Sequence, residues 1–275
     1  MAALGSCLGA FMLAGPVAAA APSRVVSINL CTDQLAMLLA APGQLVSVSM
    51  LATEPQSSAM VEEARAYPPN YGQAEQVFLL RPDLVLAGTY TAQGTVALLR
   101  RLGVTVVEVP PANALADVAQ QVRMVGESMG RDAEAEALVA EFEAGLADLR
   151  LDGATPIPAA IYYPNGYTTG SGTLADEILR ISGFGNVGAA AGVTGGGVLP
   201  LELLVMAAPQ MIVTSSPYPG ASRAEEVLVH PALASLRDRA GEARVSDADW
   251  VCGTPFVLRA VAQMAAARRA LGPVE

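Results

Sequence analysis

Four side chains bound the chemistry open to this chain: one histidine, His230, and three cysteines, Cys7, Cys31 and Cys252. A zinc hydrolase, or a receptor for bare zinc or manganese, gathers two or three imidazoles at one point, which a single histidine cannot supply. No metal site built from side chains is therefore expected. A Ser-His-Asp triad would have to recruit His230, which stands in the helix-start pattern His230-Pro231-Ala232-Leu233 with nothing nearby to suggest a nucleophile. The sequence has no P-loop, no Cys-x-x-Cys pair and no Gly-x-Ser-x-Gly elbow. Gly183-Phe184-Gly185-Asn186-Val187-Gly188 matches the dinucleotide fingerprint letter for letter, yet it follows a helical pattern rather than a strand and opens no βαβ unit. A secreted α/β enzyme using that motif is kept as the alternative from another class; no catalytic residue is assigned. Ser171, set among glycines, reads as a loop leading to a helix capped at Thr173.

Two glutamates stand out by repetition. From Glu75 the chain reads EQVFLLRPDLVLAG, and from Glu202 it reads ELLVMAAPQMIVTS. In both, glutamate begins an apolar helical turn, proline follows seven residues later and a β-rich run begins two residues after that. A short helix stopped before proline and feeding a core strand accounts for the pattern. A first-turn carboxylate serves free amides and the helix dipole. Its recurrence at matching positions points to an added role.

These residues need a frame. Past residue 23 short β-branched runs alternate with helical patterns, the signature of α/β architecture with largely parallel sheets. The expected strands are Arg24 to Leu30, Leu45 to Met50, Leu84 to Ala87, Val104 to Val109, Ala159 to Tyr163, Met211 to Thr214 and Ala243 to Ser246. Between the fourth and fifth lies a helical stretch, Ala114 to Arg150, broken at Gly130 where a glycine cap would fall. Its second half sets Ala135, Leu138, Val139, Phe142, Leu146 and Leu149 on one face, with acids on the other. About 19 residues at 1.5 Å each would span roughly 29 Å, a rod bracing two lobes rather than a flexible linker. The resulting division is an N-terminal lobe at 22–130, a bridging helix at 131–152 and a C-terminal lobe at 153–275.

Composition sets outer bounds. With 52% apolar residues the chain can bury a large core or two modest ones. Its 16 basic residues, all arginine, face 26 carboxylates, leaving a net charge of −10 and arguing against a nucleic-acid partner. The first 21 residues carry no charge, run apolar from Leu4 through Val17 and end in four alanines before Pro22. This reads as a secretory leader at 1–21, although the usual basic start is missing. The tetrapeptide Leu4-Gly5-Ser6-Cys7 looks like a lipidation box but precedes the apolar run, so a lipid anchor is not the favoured reading. Past the leader two cysteines remain, Cys31 and Cys252, which in an oxidising compartment form either a disulfide or two separately buried thiols.

With RVVSINLCTDQLAMLLA at its start, YGQAEQVFLLRPDLVLAG, LLRRLGVTVVEVP, YTTGSGTLADEILRISGFGNV and the C-terminal WVCGTPFVLRAVAQMA, the chain resembles the periplasmic substrate-binding proteins of ATP-driven importers for ferric siderophores, haem and cobalamin. The likeness covers nearly all of residues 24 to 271. It implies two doubly wound α/β lobes joined by a single long rigid helix with a ligand cleft between them, the class III periplasmic binding protein arrangement. It further implies a periplasmic monomer, no enzyme, that delivers its ligand to the permease dimer of the importer. One glutamate on each lobe of that family docks on arginines of the permease, and by position these are Glu75 and Glu202.

Open α/β sheets bind ligands at the carboxyl ends of their strands. In the resembled frame this places Asn29, Cys31, Thr32, Asp33 and Tyr90 on the first-lobe side of the cleft, and Tyr163, Tyr167, Tyr218 and Trp250 on the second-lobe side. Aromatic faces suit a large, flat, partly apolar ligand. The expected cleft loops contain no arginine, so an anionic catecholate complex fits poorly and a corrinoid or a neutral ferric hydroxamate fits better. Haem is the alternative, with Tyr167 or Tyr90 as axial ligand. The metal would arrive inside the ligand, with no resident cofactor. Cys31 and Cys252 would face each other across this cleft, either bonded, which would limit opening, or free, with a thiolate able to contact the metal of the ligand.

Overall fold

A computed structural model describes residues 20–151, 153, 155–214 and 223–272. The leader up to residue 19, including Cys7, and Tyr218 lie outside the described residues.

Aliphatic runs too short to stand alone assemble into two separate parallel sheets. The first half of the chain contains β1 (Val25–Ser27), α1 (Leu30–Leu39), β2 (Leu45–Ser49), α2 (Val61–Ala64), β3 (Pro69–Asn70), α3 (Ala74–Leu79), β4 (Leu84–Gly88), α4 (Gln93–Arg101) and β5 (Thr105–Val109). Its strands run in the order β3-β2-β1-β4-β5, all parallel. Strand side chains alternate between two buried faces: Val25, Leu84 and Leu86 pack with α1, while Val26, Val85 and Ala87 pack with Val77 of α3 and Leu99 of α4. Helices on both faces explain why these strands read as continuous apolar runs.

After α5 (Leu115–Met129) and α6 (Asp132–Leu149), the second half contains β6 (Ile157–Ile161), β7 (Tyr167–Thr169), α7 (Leu174–Ile181), β8 (Phe184–Asn186), α8 (Val187–Ala190), β9 (Gly196–Val198), α9 (Leu201–Ala207), β10 (Met211–Thr214), α10 (Pro231–Arg237), β11 (Gly241–Arg244), α11 (Asp247–Trp250) and α12 (Val257–Ala270). Its main sheet has the order β11-β10-β6-β8, again parallel, and β7 pairs with β9 as a separate antiparallel ribbon. Reading β8-β6-β10-β11 against β2-β1-β4-β5 shows the same local topology in both lobes.

Gly130 ends α5 in the left-handed conformation (φ 67°, ψ 36°), which glycine adopts at little steric cost, and α6 starts two residues later. The two helices form an antiparallel pair across both cores. On α6, Ala135 and Val139 enter the N-terminal core, while Phe142, Leu146 and Leu149 enter the C-terminal one. On α5, Leu115 and Val118 join the C-terminal core and Val122, Val125 and Met129 the N-terminal one. The Leu115 amide donates to Glu177 of α7 at 2.6 Å, so a second-lobe carboxylate serves the first turn of α5. Both helices therefore span the lobes, the chain running along α5 from the C-terminal core to the N-terminal one and back along α6.

A strand lies at or overlapping each of the seven expected positions, although β6 and β11 both start two residues earlier than expected, so that Val245 and Ser246 fall outside β11. The first is shorter than expected: Leu30 starts α1, because Asn29 accepts from the amides of Cys31 and Thr32 and turns the chain into a helix. Strands β3, β7, β8 and β9, of two or three residues each, are too short to show a period in sequence.

Candidate functional site

Because each main sheet is parallel, its loops of interest leave from one edge, and one bond brings the two edges together. Cys31, in the first turn of α1 just past β1, is bonded to Cys252, just past α11 in the second lobe, with Cα atoms 5.1 Å apart. Of the two states open to these cysteines, the structure takes the disulfide. Cys252 is buried and Cys31 half-buried, and a free thiolate ligand is excluded while the bond stands.

Around this bond the expected lining residues divide. Asn29 is half-buried and spends its side-chain oxygen on capping α1. Thr32 and Asp33 are corrected: both lie inside the first lobe, out of reach of a solute. The Thr32 hydroxyl lies 2.8 Å from that of Ser27 and donates to the Asn29 carbonyl, while Asp33 accepts from the Ser49 amide at 3.0 Å and from the Ser49 hydroxyl. Burial pushes the Asp33 carboxyl up to about 6, against the opposing effect of these hydrogen bonds. Asn70, also buried, ties the same strand ends together by donating to the carbonyls of Ser27 and Val48 and to the Ser47 hydroxyl. These polar groups set the rim from behind.

The aromatic set divides in the same way. Trp250 is buried in the second-lobe core, and its ring meets Tyr163 edge-on, with centroids 6.5 Å apart at 87°. The expectation that it offers a face to the ligand is therefore corrected, because the residue is only 8% exposed and packs in the second-lobe core beside Tyr163. Burial, reinforced by Asp247, pushes the Tyr163 phenol far up, so it stays neutral. Tyr90, on the loop following β4, and Tyr167, at the start of β7, stand exposed. Tyr71, following β3, is exposed as well, as are Leu51 after β2 and Val251 beside Cys252. Sequence reading missed Tyr71 because a two-residue strand has no period to detect; the turn-rich Pro68-Pro69-Asn70-Tyr71-Gly72 was its only signal.

Charge near the strand ends is balanced. Arg244 at the end of β11 reaches Glu242 at 3.4 Å. Arg259 lies 3.6 Å from Asp249 and stacks over Phe256 at 4.5 Å from the ring centre. Burial raises the Asp249 pKa, an effect that Arg259 partly offsets. His230 accepts the Ala232 amide through Nδ1 and caps α10, an exposed helix start. The Gly183–Gly188 match is no nucleotide cradle: Gly183 closes α7 in the left-handed region, Gly185 lies within β8 and Gly188 within α8, so the strand sits inside the motif instead of before it.

Glu75 and Glu202 fall in the first turns of α3 and α9. Both are exposed, and neither has a hydrogen bond or ion pair among the described residues.

The model of the family described as periplasmic binding protein matches residues 25–243. A Bacillus subtilis (strain 168) protein named as an uncharacterized ABC transporter substrate-binding lipoprotein, YvrC, is 28% identical over 205 residues, 70% of this chain and 64% of its own length. A cobalamin-binding protein of Halobacterium salinarum is 29% identical over 198 residues, 70% of this chain and 54% of its own length. The matched region thus spans between half and two thirds of those relatives. Among solved structures, the apo periplasmic heme-binding protein RhuT from Roseiflexus sp. RS-1 is similar with TM-score 0.74 and 23% identity, covering 90% of this chain and 98% of that one. The periplasmic vitamin B12 binding protein BtuF of Vibrio cholerae gives 0.67 and 21%, covering 90% and 97%. At such identities these likenesses speak to the fold alone.

Proposed function

The chain belongs to the periplasmic binding protein family, a family of solute-binding proteins, and on that basis we propose that it is the extracytoplasmic receptor of an ATP-driven importer. In this reading residues 1–21 are a leader, the lobes are 22–130 and 153–275, and 131–152 bridges them. The mature monomer captures a metal chelate between its lobes and hands it unchanged to a permease dimer, docking through Glu75 and Glu202.

The observation that carries the reading is the meeting of the two sheet edges at Cys31–Cys252, with exposed Tyr71, Tyr90 and Tyr167 on the segments leaving those edges. Phenols with apolar neighbours suit a large ligand of mixed polarity. The compensated arginines support a neutral or weakly charged chelate, a corrinoid or a ferric hydroxamate. The name of the Halobacterium relative supports the corrinoid. Haem is the second reading, favoured by the exposed residues Tyr90 and Tyr167, tyrosine being a side chain that can supply an axial oxygen.

The test is titration of the mature protein with cobinamide, cobalamin, a ferric hydroxamate and haemin, followed by quenching of the sole tryptophan and by the absorbance of each chelate. One of them should bind saturably, and Tyr90→Ala or Tyr167→Ala should weaken it. A Soret shift lost in one tyrosine variant selects haem over the corrinoid. Flat titrations with all four reject this ligand set.

A further inference from the structure

The repeat noticed in the sequence extends to features that no docking glutamate requires. Helices α3 and α9 occupy the same place in their lobes, each feeding the strand beside the lobe's first strand, β4 next to β1 and β10 next to β6. Position by position, Val77 and Leu204 are fully buried, Pro82 and Pro209 follow the helix, and Arg81 and Ala208 both take left-handed backbone (φ 50° and 43°) without being glycine. Arg24 holds the end of α3 by donating to the carbonyls of Leu80 and Arg81.

The outer faces match too. Phe78 and Val205 are 42% and 37% exposed, and Leu79 and Met206 are 78% and 79% exposed. These residues stand three and four places after Glu75 and Glu202, so on each helix the carboxylate and the two apolar side chains share one face. A scattered exposed leucine needs no explanation. Two equivalent apolar pairs, each at the same offset from an exposed carboxylate on the equivalent helix of its lobe, form a built surface.

We propose that Phe78 with Leu79, and Val205 with Met206, are twin apolar knobs that seat in the partner alongside the two glutamates. The occupant is a two-fold symmetric membrane permease presenting, in each copy, an apolar socket rimmed by a cation. Charge complementarity to Glu75 and Glu202 selects the cation, and the pseudo-equivalence of the two knobs selects the symmetry. This rests on the importer reading for the identity of the partner. The carboxylates set the approach and its salt dependence; the knobs, once buried, set the lifetime of the complex.

The experiment measures binding of fluorescently labelled, ligand-loaded protein to spheroplasts of the source organism, whose periplasmic membrane face is exposed. Leu79→Gln and Met206→Gln should each weaken binding roughly tenfold, and more together, with the salt dependence of wild type retained. Glu75→Gln with Glu202→Gln should weaken binding and flatten the salt dependence. Val229→Gln, an equally exposed apolar site elsewhere on the second lobe, should change nothing. Unchanged chelate affinity in the knob variants confirms that they fold. If the knob variants bind like wild type while the glutamate pair does not, the knobs are refuted and the importer reading stands. If wild type itself shows no saturable binding, both fall. If the free protein dimerises and Leu79→Gln with Met206→Gln abolishes the dimer, the occupant is a second copy and the proposal is overturned.

Discussion

Replacing both Cys31 and Cys252 by alanine removes a bond between residues 221 apart in sequence. For a loop of that size the chain-entropy relation gives about 18 cal/mol/K, or about 5 kcal/mol at 25 °C, of denatured-state freedom restored. Residual structure in the unfolded chain makes this an upper value. For a protein of this size it corresponds to a fall in Tm of about 10–20 °C. The bond also couples the two lobes, since cutting it leaves α5 and α6 as the main brace, so the oxidised protein should unfold in one calorimetric transition that broadens or splits when the bond is removed. The assay is differential scanning calorimetry of the oxidised protein, the double alanine variant and the wild type reduced with dithiothreitol, where the thiolate must attack the more accessible Cys31 sulfur. The reduced and alanine forms should agree. A Tm within about 3 °C of the oxidised protein, with one sharp transition, would refute the idea that this bond constrains the lobes.

Two further outcomes follow from the interior. Asp33, pushed up to about 6 from 3.8, binds its proton more tightly folded than unfolded. Its contribution is therefore greatest below pH 4 and is lost as pH rises to about 6, by about 3 kcal/mol. Asp33→Asn, which can keep both contacts with Ser49, should match wild type near pH 4 in urea unfolding and exceed it near pH 7, whereas a difference independent of pH sinks the assignment. Phe142, where α6 enters the second core, should cost about 3–5 kcal/mol on replacement by alanine and perturb the near-ultraviolet signal of Trp250 in the same core; a loss under about 1 kcal/mol would mean that α6 does not anchor there.

Much of this molecule is legible in its amino-acid sequence, because the relevant energies are local. Apolar runs and the glycine at 130 mark seven of the strands and the break between α5 and α6, since strand alternation, helical spacing and a left-handed cap depend on neighbours a few residues away. The Glu75 and Glu202 repeat is visible for the same reason. The features that sequence does not show depend on which distant segments meet. Nothing near Cys31 says that its partner is Cys252 rather than solvent, and nothing near Asp33 says that Ser49 and the strand ends close over it. Trp250 looks equally suited to a cleft or a core until Tyr163 and the second-lobe interior are packed against it. Two- and three-residue strands such as β3 exist only because a neighbouring strand supplies their hydrogen bonds, which is why Tyr71 carries so faint a signal. Local pattern thus specifies the elements, their order and the two-lobed plan. Packing of the assembled chain alone separates the polar and aromatic side chains that are buried supports from those free to meet a ligand or a partner, because burial belongs to the surroundings of a residue and not to its place along the chain.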